Sequence, residues 1–245
     1  MASEPVPAMI PDGEVVYAIG DIHGRSDLLF ELLHLIEQDA AHTQPHARKT
    51  LIFLGDYVDR GPDSRGVIEM LCNGLPHDFE AVFLKGNHEE ILLGFLDDPT
   101  LLGSWCRNGG ERTLRSYGVD CGRLARENAK PEAWRDAFAS ALPQAHLNFL
   151  RRLRLTYEIG DYAFVHAGVR PGVPLGAQDP ADLLWIRDEF LTSLEPFGKI
   201  VVHGHTPGAA PVVRPNRIGI DTGAVFSEHL TALRLEDANR DFLQT

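Results

Sequence analysis

The sequence predicts an α/β fold, a sandwich of two mixed β-sheets flanked by helices, and three observations lead there. Over residues 14–96, apolar runs of strand length alternate three times with stretches whose apolar residues recur at helical spacing. That alternation is the pattern of parallel strands joined by helical crossovers. Beyond residue 156, strand-like runs follow one another with little between them, which calls for a second, mixed or antiparallel sheet packed on the first. The stretch between the two, residues 99–155, has little strand character and is expected to be a helical insert or cap.

Taken in order, residues 14–19 (Glu-Val-Val-Tyr-Ala-Ile) read as the first strand. Residues 27–40 place Leu28, Leu32, Leu35 and Ile36 on one helical face, with Asp27 as an early-turn acid. Residues 50–54 are the second strand and 63–75 the second helix, its start favoured by Pro62. Residues 80–84 and 88–96 complete the third pair, and 131–141 and 144–153 are amphipathic stretches within the insert. The chain returns to strands at 157–159, 162–165, 200–202, 212–214, 217–220 and 230–235, with Gly160-Asp161 as a hairpin turn between the first two. Residues 1–12 hold three prolines and no basic residue or long apolar stretch, so they read as a flexible tail rather than a signal peptide. Residues 13–245 are expected to form a single domain and a monomer.

A net charge of −12, from 23 basic against 35 acidic residues, argues against a nucleic-acid partner, which would demand a basic face. An anionic substrate must therefore be drawn by local charge rather than by the field of the whole protein. No apolar run approaches the roughly 20 residues that span a bilayer, so no membrane partner is expected. Cys72, Cys106 and Cys121 show no paired spacing, which points to a reducing, cytoplasmic setting.

Chemistry concentrates in five short blocks: Gly-Asp-Ile-His-Gly at 20–24, Gly-Asp-Tyr-Val-Asp-Arg-Gly at 55–61, Gly-Asn-His-Glu at 86–89, His-Ala-Gly at 166–168 and His-Gly-His-Thr at 203–206. Each follows an apolar run, so its ligand-type side chain sits on rigid backbone at a strand end. Alternate side chains of extended chain point one way, so Asp21 and His23 can face a metal together while Ile22 enters the core. Asp56 can bridge two cations through its two oxygens; Asn87 offers a carbonyl oxygen, and His166 and His205 offer imidazole nitrogens. This mixed set suits manganese, iron or zinc and fits calcium poorly. Asp56, Asp59 and Asp63 hint at a calcium loop, but the glycine and the terminal glutamate of that pattern are missing. Any one of these residues alone is more often a hydrogen-bonded structural group. The five in order point to a dinuclear metal site.

This ordered set resembles the phosphoprotein phosphatase family of calcineurin-like metallophosphoesterases, and within it the bacterial and phage-type Ser/Thr protein phosphatases. Similar stretches also occur at 105–110 (Trp-Cys-Arg-Asn-Gly-Gly), 184–187 (Leu-Trp-Ile-Arg) and 220–226 (Ile-Asp-Thr-Gly-Ala-Val-Phe), so the likeness runs from about 15 to 235. The resemblance implies that Asp21, His23 and Asp56 hold one cation, and that Asp56 bridges to a second completed by Asn87, His166 and His205. The pair is expected to be manganese, with iron or zinc as alternatives. It implies His88 as a general acid oriented by Asp59, Arg60 and Arg187 on the phosphate oxygens, and direct in-line attack by a metal-activated hydroxide. Lys85 stands where the family usually has arginine, keeping the charge in that phosphate-binding corner but losing the bidentate fork. His203 matches no ligand of the family. The implied activity is hydrolysis of phosphomonoesters, on a phosphorylated protein or a small phosphoester. The nearest rival is a symmetrical dinucleoside-tetraphosphate hydrolase; the rival from another class is a catalytically inactive phosphate-binding scaffold.

Overall fold

The computed structural model describes residues 7–43 and 46–245 and realises the opening alternation in order. It runs β1 (Glu14–Ile19), α1 (Ser26–Ala40), β2 (Arg48–Phe53), α2 (Ser64–Asn73), β3 (Phe79–Phe83) and α3 (Asn87–Asp97). The middle segment is helical: α4 (Leu102–Arg107), α5 (Gly110–Ser116), α6 (Cys121–Arg126), α7 (Pro131–Ala141) and α8 (Gln144–Arg151). Only α7 and α8 were legible as separate helices in the sequence, because α4 to α6 are six or seven residues long. The chain continues with β4 (Thr156–Ile159), β5 (Tyr162–Val165), α9 (Pro180–Trp185), α10 (Asp188–Leu191), β6 (Ile200–His203), β7 (Val212–Val213) and β8 (Arg217–Gly219). It ends with α11 (Ala224–Ser227), β9 (Thr231–Glu236) and β10 (Asn239–Gln244).

Two mixed five-stranded sheets result, in the orders β10-β9-β1-β2-β3 and β4-β5-β6-β8-β7. In the first, β1, β2 and β3 are parallel, and β9 lies antiparallel to β1. In the second, β5, β6 and β8 are parallel, with β4 and β7 antiparallel at the edges. The expectation that 230–235 belongs to the second sheet is corrected here. Its partner is β1, with Val16 opposite Leu235 and Ala18 opposite Leu233, and local periodicity cannot specify a pairing over that sequence distance. The polar strand β10 was not predicted; it is an edge strand with little apolar pattern.

Alternation of side chains along β1 decides how the layers stack. Val15, Tyr17 and Ile19 pack with α1, α2 and the helical insert, whereas Val16 and Ala18 face the second sheet through Phe164, Val202 and Ile218. The outer face of the second sheet, through Val165 and Val201, is covered by Leu183, Ile186 and Phe190. Each fully buried Val, Ile, Leu or Phe stabilises this arrangement by roughly 1.5–3 kcal/mol.

The tail expectation fails for residues 7–12, while residues 1–6 lie outside the described residues. Ile10 is 1% exposed and belongs to the core between the sheets. Its N–H donates to the Asp237 carbonyl at 2.9 Å, and the Asp161 N–H donates to the Met9 carbonyl at 2.9 Å. Sealing the open end of an apolar core outweighs the chain entropy that a proline-rich segment would keep. Among the described residues, no helix is long and apolar enough to cross a membrane.

Candidate metal centre and its surroundings

The five blocks meet at the C-terminal ends of β1, β2, β3, β5 and β6, along the seam where the two sheets face each other. The first sheet delivers Asp21, His23, Asp56, Asn87 and His88; the second delivers His166 and His205. Donor atoms of His23, Asp56 and His88 lie within 4.8 Å of one another, as do those of Asp56, His166 and His205. Asp56 is the shared member, and its two oxygens face opposite ways. His23 Nε2 lies 3.5 Å from Oδ2, and His166 Nε2 lies 3.5 Å from Oδ1. His166 Nε2 and His205 Nδ1 both approach Asn87 Oδ1 at 2.9 Å, and the His205 N–H donates to Asp21 Oδ2 at 3.0 Å.

Backbone carbonyls fix the rings. His23 Nδ1–H donates to the Val58 carbonyl at 2.8 Å, and His166 Nδ1–H to the Leu54 carbonyl at 2.9 Å. Each ring therefore turns its lone-pair nitrogen, Nε2, inward. Burial, which outweighs the nearby Asp56 carboxylate, holds His23 and His205 down to about 3 and lowers His166 as well, so the imidazoles are neutral at pH 7. A buried lone pair facing a carboxylate oxygen, as at His166 and Asp56, is unfavourable unless positive charge lies between them. His205 Nε2 is a further buried atom with no hydrogen-bond partner among the described residues. Neutral imidazoles, an amide oxygen and buried carboxylates on both sides of Asp56 fit two divalent transition-metal cations.

The backbone here is strained. His23, Asp56, Asp59, Arg60 and His205 have φ of 47°, 52°, 72°, 66° and 63°, a region that costs a non-glycine residue of order 1–3 kcal/mol. Glu89 offsets part of that cost. Its Oε2 accepts the N–H groups of Gly86 and Asp56, both at 2.9 Å, and its Oε1 accepts those of Tyr57 and Val58 at 2.8 and 3.3 Å. Burial and the Asp56 charge push Glu89 up to about 7. Two glycines permit the close approach: a Cβ on Gly86 would collide with Asp56 Oδ1, and one on Gly204 with Asp21 Oδ1.

Beside the ligand cluster, His88 is fully buried, and its Nδ1–H donates to Asp59 Oδ2 at 2.7 Å. Its other nitrogen, Nε2, lies 3.9 Å from Asp56 Oδ2 and has no hydrogen-bond partner among the described residues. Burial alone would lower the His88 pKa, but the Asp56 and Asp59 carboxylates outweigh it and the net shift is upward. Asp59 is itself held by the Trp105 indole and by the Thr113 hydroxyl, which donates to Oδ1 at 2.6 Å. Its N–H donates to Ser64 Oγ at 3.0 Å.

The arginines and Lys85 are placed less uniformly. Arg60 Nη1 donates to His23 Nε2 at 2.8 Å. Arg187 is exposed at the start of α10, near enough for its charge to lower His166 and His205. Lys85 is tied in by its backbone N–H, which donates to the Arg154 carbonyl at 2.7 Å, and its ammonium makes no hydrogen bond to the other candidate residues. His203 lies apart from the cluster: it is buried against Phe190, with Nε2 accepting from Arg217 at 3.2 Å. Asp63 caps α2, accepting the Gly66 N–H at 2.8 Å.

The sequence resemblance covers the stretches around Trp105 and Asp221 without assigning either residue a role, and it assigns none to Thr113. Asp221 is 7% exposed, follows β8 and stands near enough to Asp21 for the two carboxyls to interact. Burial and the charge of Asp56 push it up to about 6, although the Gly223 N–H pulls the other way. Asp21 is raised by burial and by the Asp221 and Asp56 charges. A carboxylic acid at the end of another strand was the available signal.

A profile of the family described as calcineurin-like phosphoesterase matches residues 15–226. The chain is 30% identical over 239 residues, covering 88% of itself and 88% of the relative, to the asymmetrical bis(5'-nucleosyl)-tetraphosphatase PrpE of Bacillus thuringiensis. It is 29% identical over 236 residues, covering 89% of itself and 88% of the relative, to the protein of the same name in Oceanobacillus iheyensis. The fold is also similar to a crystal structure provisionally described as a diadenosine tetraphosphatase, with a TM-score of 0.63, 20% identity and 98% of both chains covered.

Proposed function

The chain belongs to the calcineurin-like phosphoesterase family of metal-dependent hydrolases, and we propose that it cleaves phosphomonoesters whose leaving oxygen must be protonated, phosphoserine and phosphothreonine of proteins foremost. The observation that supports this reading is the buried His88–Asp59 pair beside the ligand cluster. An alkoxide is a poor leaving group, and a positioned acid contributes most where the departing oxygen is most basic.

Two divalent cations, one at Asp21, His23 and Asp56 and the other at Asp56, Asn87, His166 and His205, would supply charge to the phosphoryl oxygens and acidify a water to near neutrality. Manganese, iron and zinc all suit that donor set. In this scheme His88 carries the proton on Nε2 and gives it to the leaving oxygen. Asp59 keeps the ring oriented and stabilises the imidazolium before transfer, and Trp105 and Thr113 keep Asp59 in place. Arg60 and Arg187 offset charge on the equatorial oxygens, with Lys85 as a third candidate cation. The three cysteines are unpaired in the structure, which supports a reducing compartment such as the cytoplasm.

A second reading has its own support. The relatives are named tetraphosphatases, so hydrolysis of a dinucleoside tetraphosphate is the alternative substrate class. Their names carry the word asymmetrical, so the symmetrical rival expected from the sequence gives way to cleavage into unequal nucleotides.

Metal-stripped protein reloaded separately with manganese, iron, zinc, nickel and magnesium would be assayed against a phosphoserine peptide, nitrophenyl phosphate and diadenosine tetraphosphate. Peptide turnover exceeding tetraphosphate turnover supports the first reading. Efficient tetraphosphate cleavage to unequal nucleotides, with a slow peptide reaction, replaces it with the second. No turnover with any metal overturns both and leaves the binding scaffold.

A further inference from the structure

The helical insert forms a cavity of about 480 Å³ lined by Cys106, Gly109, Glu111, Arg112 and Arg115, and Gly109 in its wall packs on Arg60. Its volume is within the range of small-molecule sites. Its charge is uneven. Arg115 pairs with Glu111 at 2.6 Å, whereas Arg112 is exposed and makes no ion pair among the described residues. Burial, reinforced by the Glu111 charge, pushes the Cys106 thiol up to about 11, so it adds no negative charge at pH 7. The cavity thus presents one uncompensated guanidinium on a protein whose net charge is −12.

The cavity also adjoins the candidate phosphate clamp. One carbonyl, that of Gly109, accepts the N–H of Arg60 at 3.3 Å and the N–H of Arg112 at 3.0 Å. Gly109 has φ of 100°, and a Cβ there would lie 2.6 Å from Arg60 N and 2.8 Å from Arg60 Cγ. The insert therefore packs its backbone directly on the stem of Arg60, and Arg112 departs from the same oxygen.

We propose that this cavity is a subsite for a second anionic group of the substrate, with Arg112 as its binding cation. The inference rests on the phosphoesterase reading for the position of the reacting phosphate and deepens it. A planar guanidinium suits a phosphate, which it binds through two parallel hydrogen bonds. The second phosphate has two sources: another phosphorylated side chain of the same peptide, or the next phosphate of a nucleoside polyphosphate chain.

Binding to metal-loaded protein, measured by calorimetry with uncleavable probes, tests the proposal whether or not either substrate is turned over. One arm compares peptides carrying one or two phosphonate analogues of phosphoserine. The other compares an adenosine monophosphonate with a methylene-bridged adenosine polyphosphate. In at least one arm the second anionic group tightens binding to the wild type about tenfold, and Arg112→Gln removes that gain while leaving the single-anion probe within about twofold. A thermal melt matching the wild type shows that the variant is folded. A gain in neither arm, a gain that survives Arg112→Gln, or an equal loss for single-anion and double-anion probes overturns the subsite. Failure of the substrate assays would instead count against the proposed reaction, because these probes are never cleaved.

Discussion

The Trp105 indole N–H donates to both carboxylate oxygens of Asp59, at 3.1 and 3.0 Å. A residue of the helical insert thereby steers the carboxylate beneath the candidate acid, His88. Burial pushes Asp59 up, and the hydrogen bonds from His88, Thr113 and Trp105 draw it back toward the ionised form that can orient an imidazolium. The insert is therefore tied to the candidate acid through Asp59.

Replacing Trp105 by Phe keeps an aromatic ring against Phe95 and Phe138, whose centroids lie 4.9 and 5.5 Å away, but removes the donor. Turnover of a phosphoserine peptide is expected to fall about tenfold, and that of nitrophenyl phosphate by less than about threefold. Stability should drop by about 1–2 kcal/mol. Steady-state rates with the two substrates and a urea melt check both statements.

His88→Asn removes the proton that leaves with the alkoxide. Peptide turnover is expected to fall roughly 10²–10⁴-fold, while nitrophenyl phosphate, whose leaving group is already acidic, loses far less. Equal losses on the two substrates would count against the acid role.

Glu89→Gln puts an amide N–H where four backbone N–H groups converge. The strained Asp56 backbone loses its anchor, and stability should fall by roughly 1–3 kcal/mol. Weaker metal binding is expected alongside. A melt of the metal-stripped protein and a metal titration separate the two effects.

Metal affinity should climb with pH through the range in which the Asp21–Asp221 pair loses its proton. Asp221, pushed up to about 6, holds a proton below that pH, and a cation must displace it. Affinity therefore rises as the pH passes upward through about 6. His23 and His205, at about 3, are already neutral throughout that window and add nothing to the slope. Calorimetry in buffers of different ionisation enthalpy counts the protons released, and Asp221→Asn should reduce the count at pH 6. An unchanged count would remove Asp221 from this role.

Trp185 is 41% exposed, its Nε1 donates to Glu90 Oε2 at 2.7 Å, and its ring stands edge-on to His205 at 6.3 Å. Loading a metal at His205 should change the tryptophan fluorescence, and the change should vanish in Trp185→Phe. A signal unaltered by that substitution would have to come from elsewhere.

What the sequence disclosed was set by range. Asp21, His23, Asp56, Asn87, His166 and His205 each follow an apolar strand within a few residues, so local pattern could single them out as candidates, and in the structure they lie together. Their mutual arrangement also depends on contacts with no local trace. Trp105 and Thr113 reach Asp59 across 46 and 54 residues, and Asp221 meets Asp21 only because β8 and β1 end at the same seam. Strand β9 was found, but its partner could not be, since pairing with β1 requires closing a loop of some two hundred residues. Residues 7–12 misled for another reason: prolines advertise flexibility, and the one residue that matters, Ile10, is an ordinary apolar side chain.

The seam between the sheets has a consequence for how such a protein is lost and regained. Candidate ligands come from both sheets, so a cation bound there acts as a rivet through two plates, and loosening either plate opens its shell. Occupancy and sheet docking then belong to one equilibrium, in which free metal at 100 times its dissociation constant stabilises the closed form by about 2.7 kcal/mol. The candidate ligands run from Asp21 to His205, so a ribosome must carry synthesis past His205 before the rivet can be set.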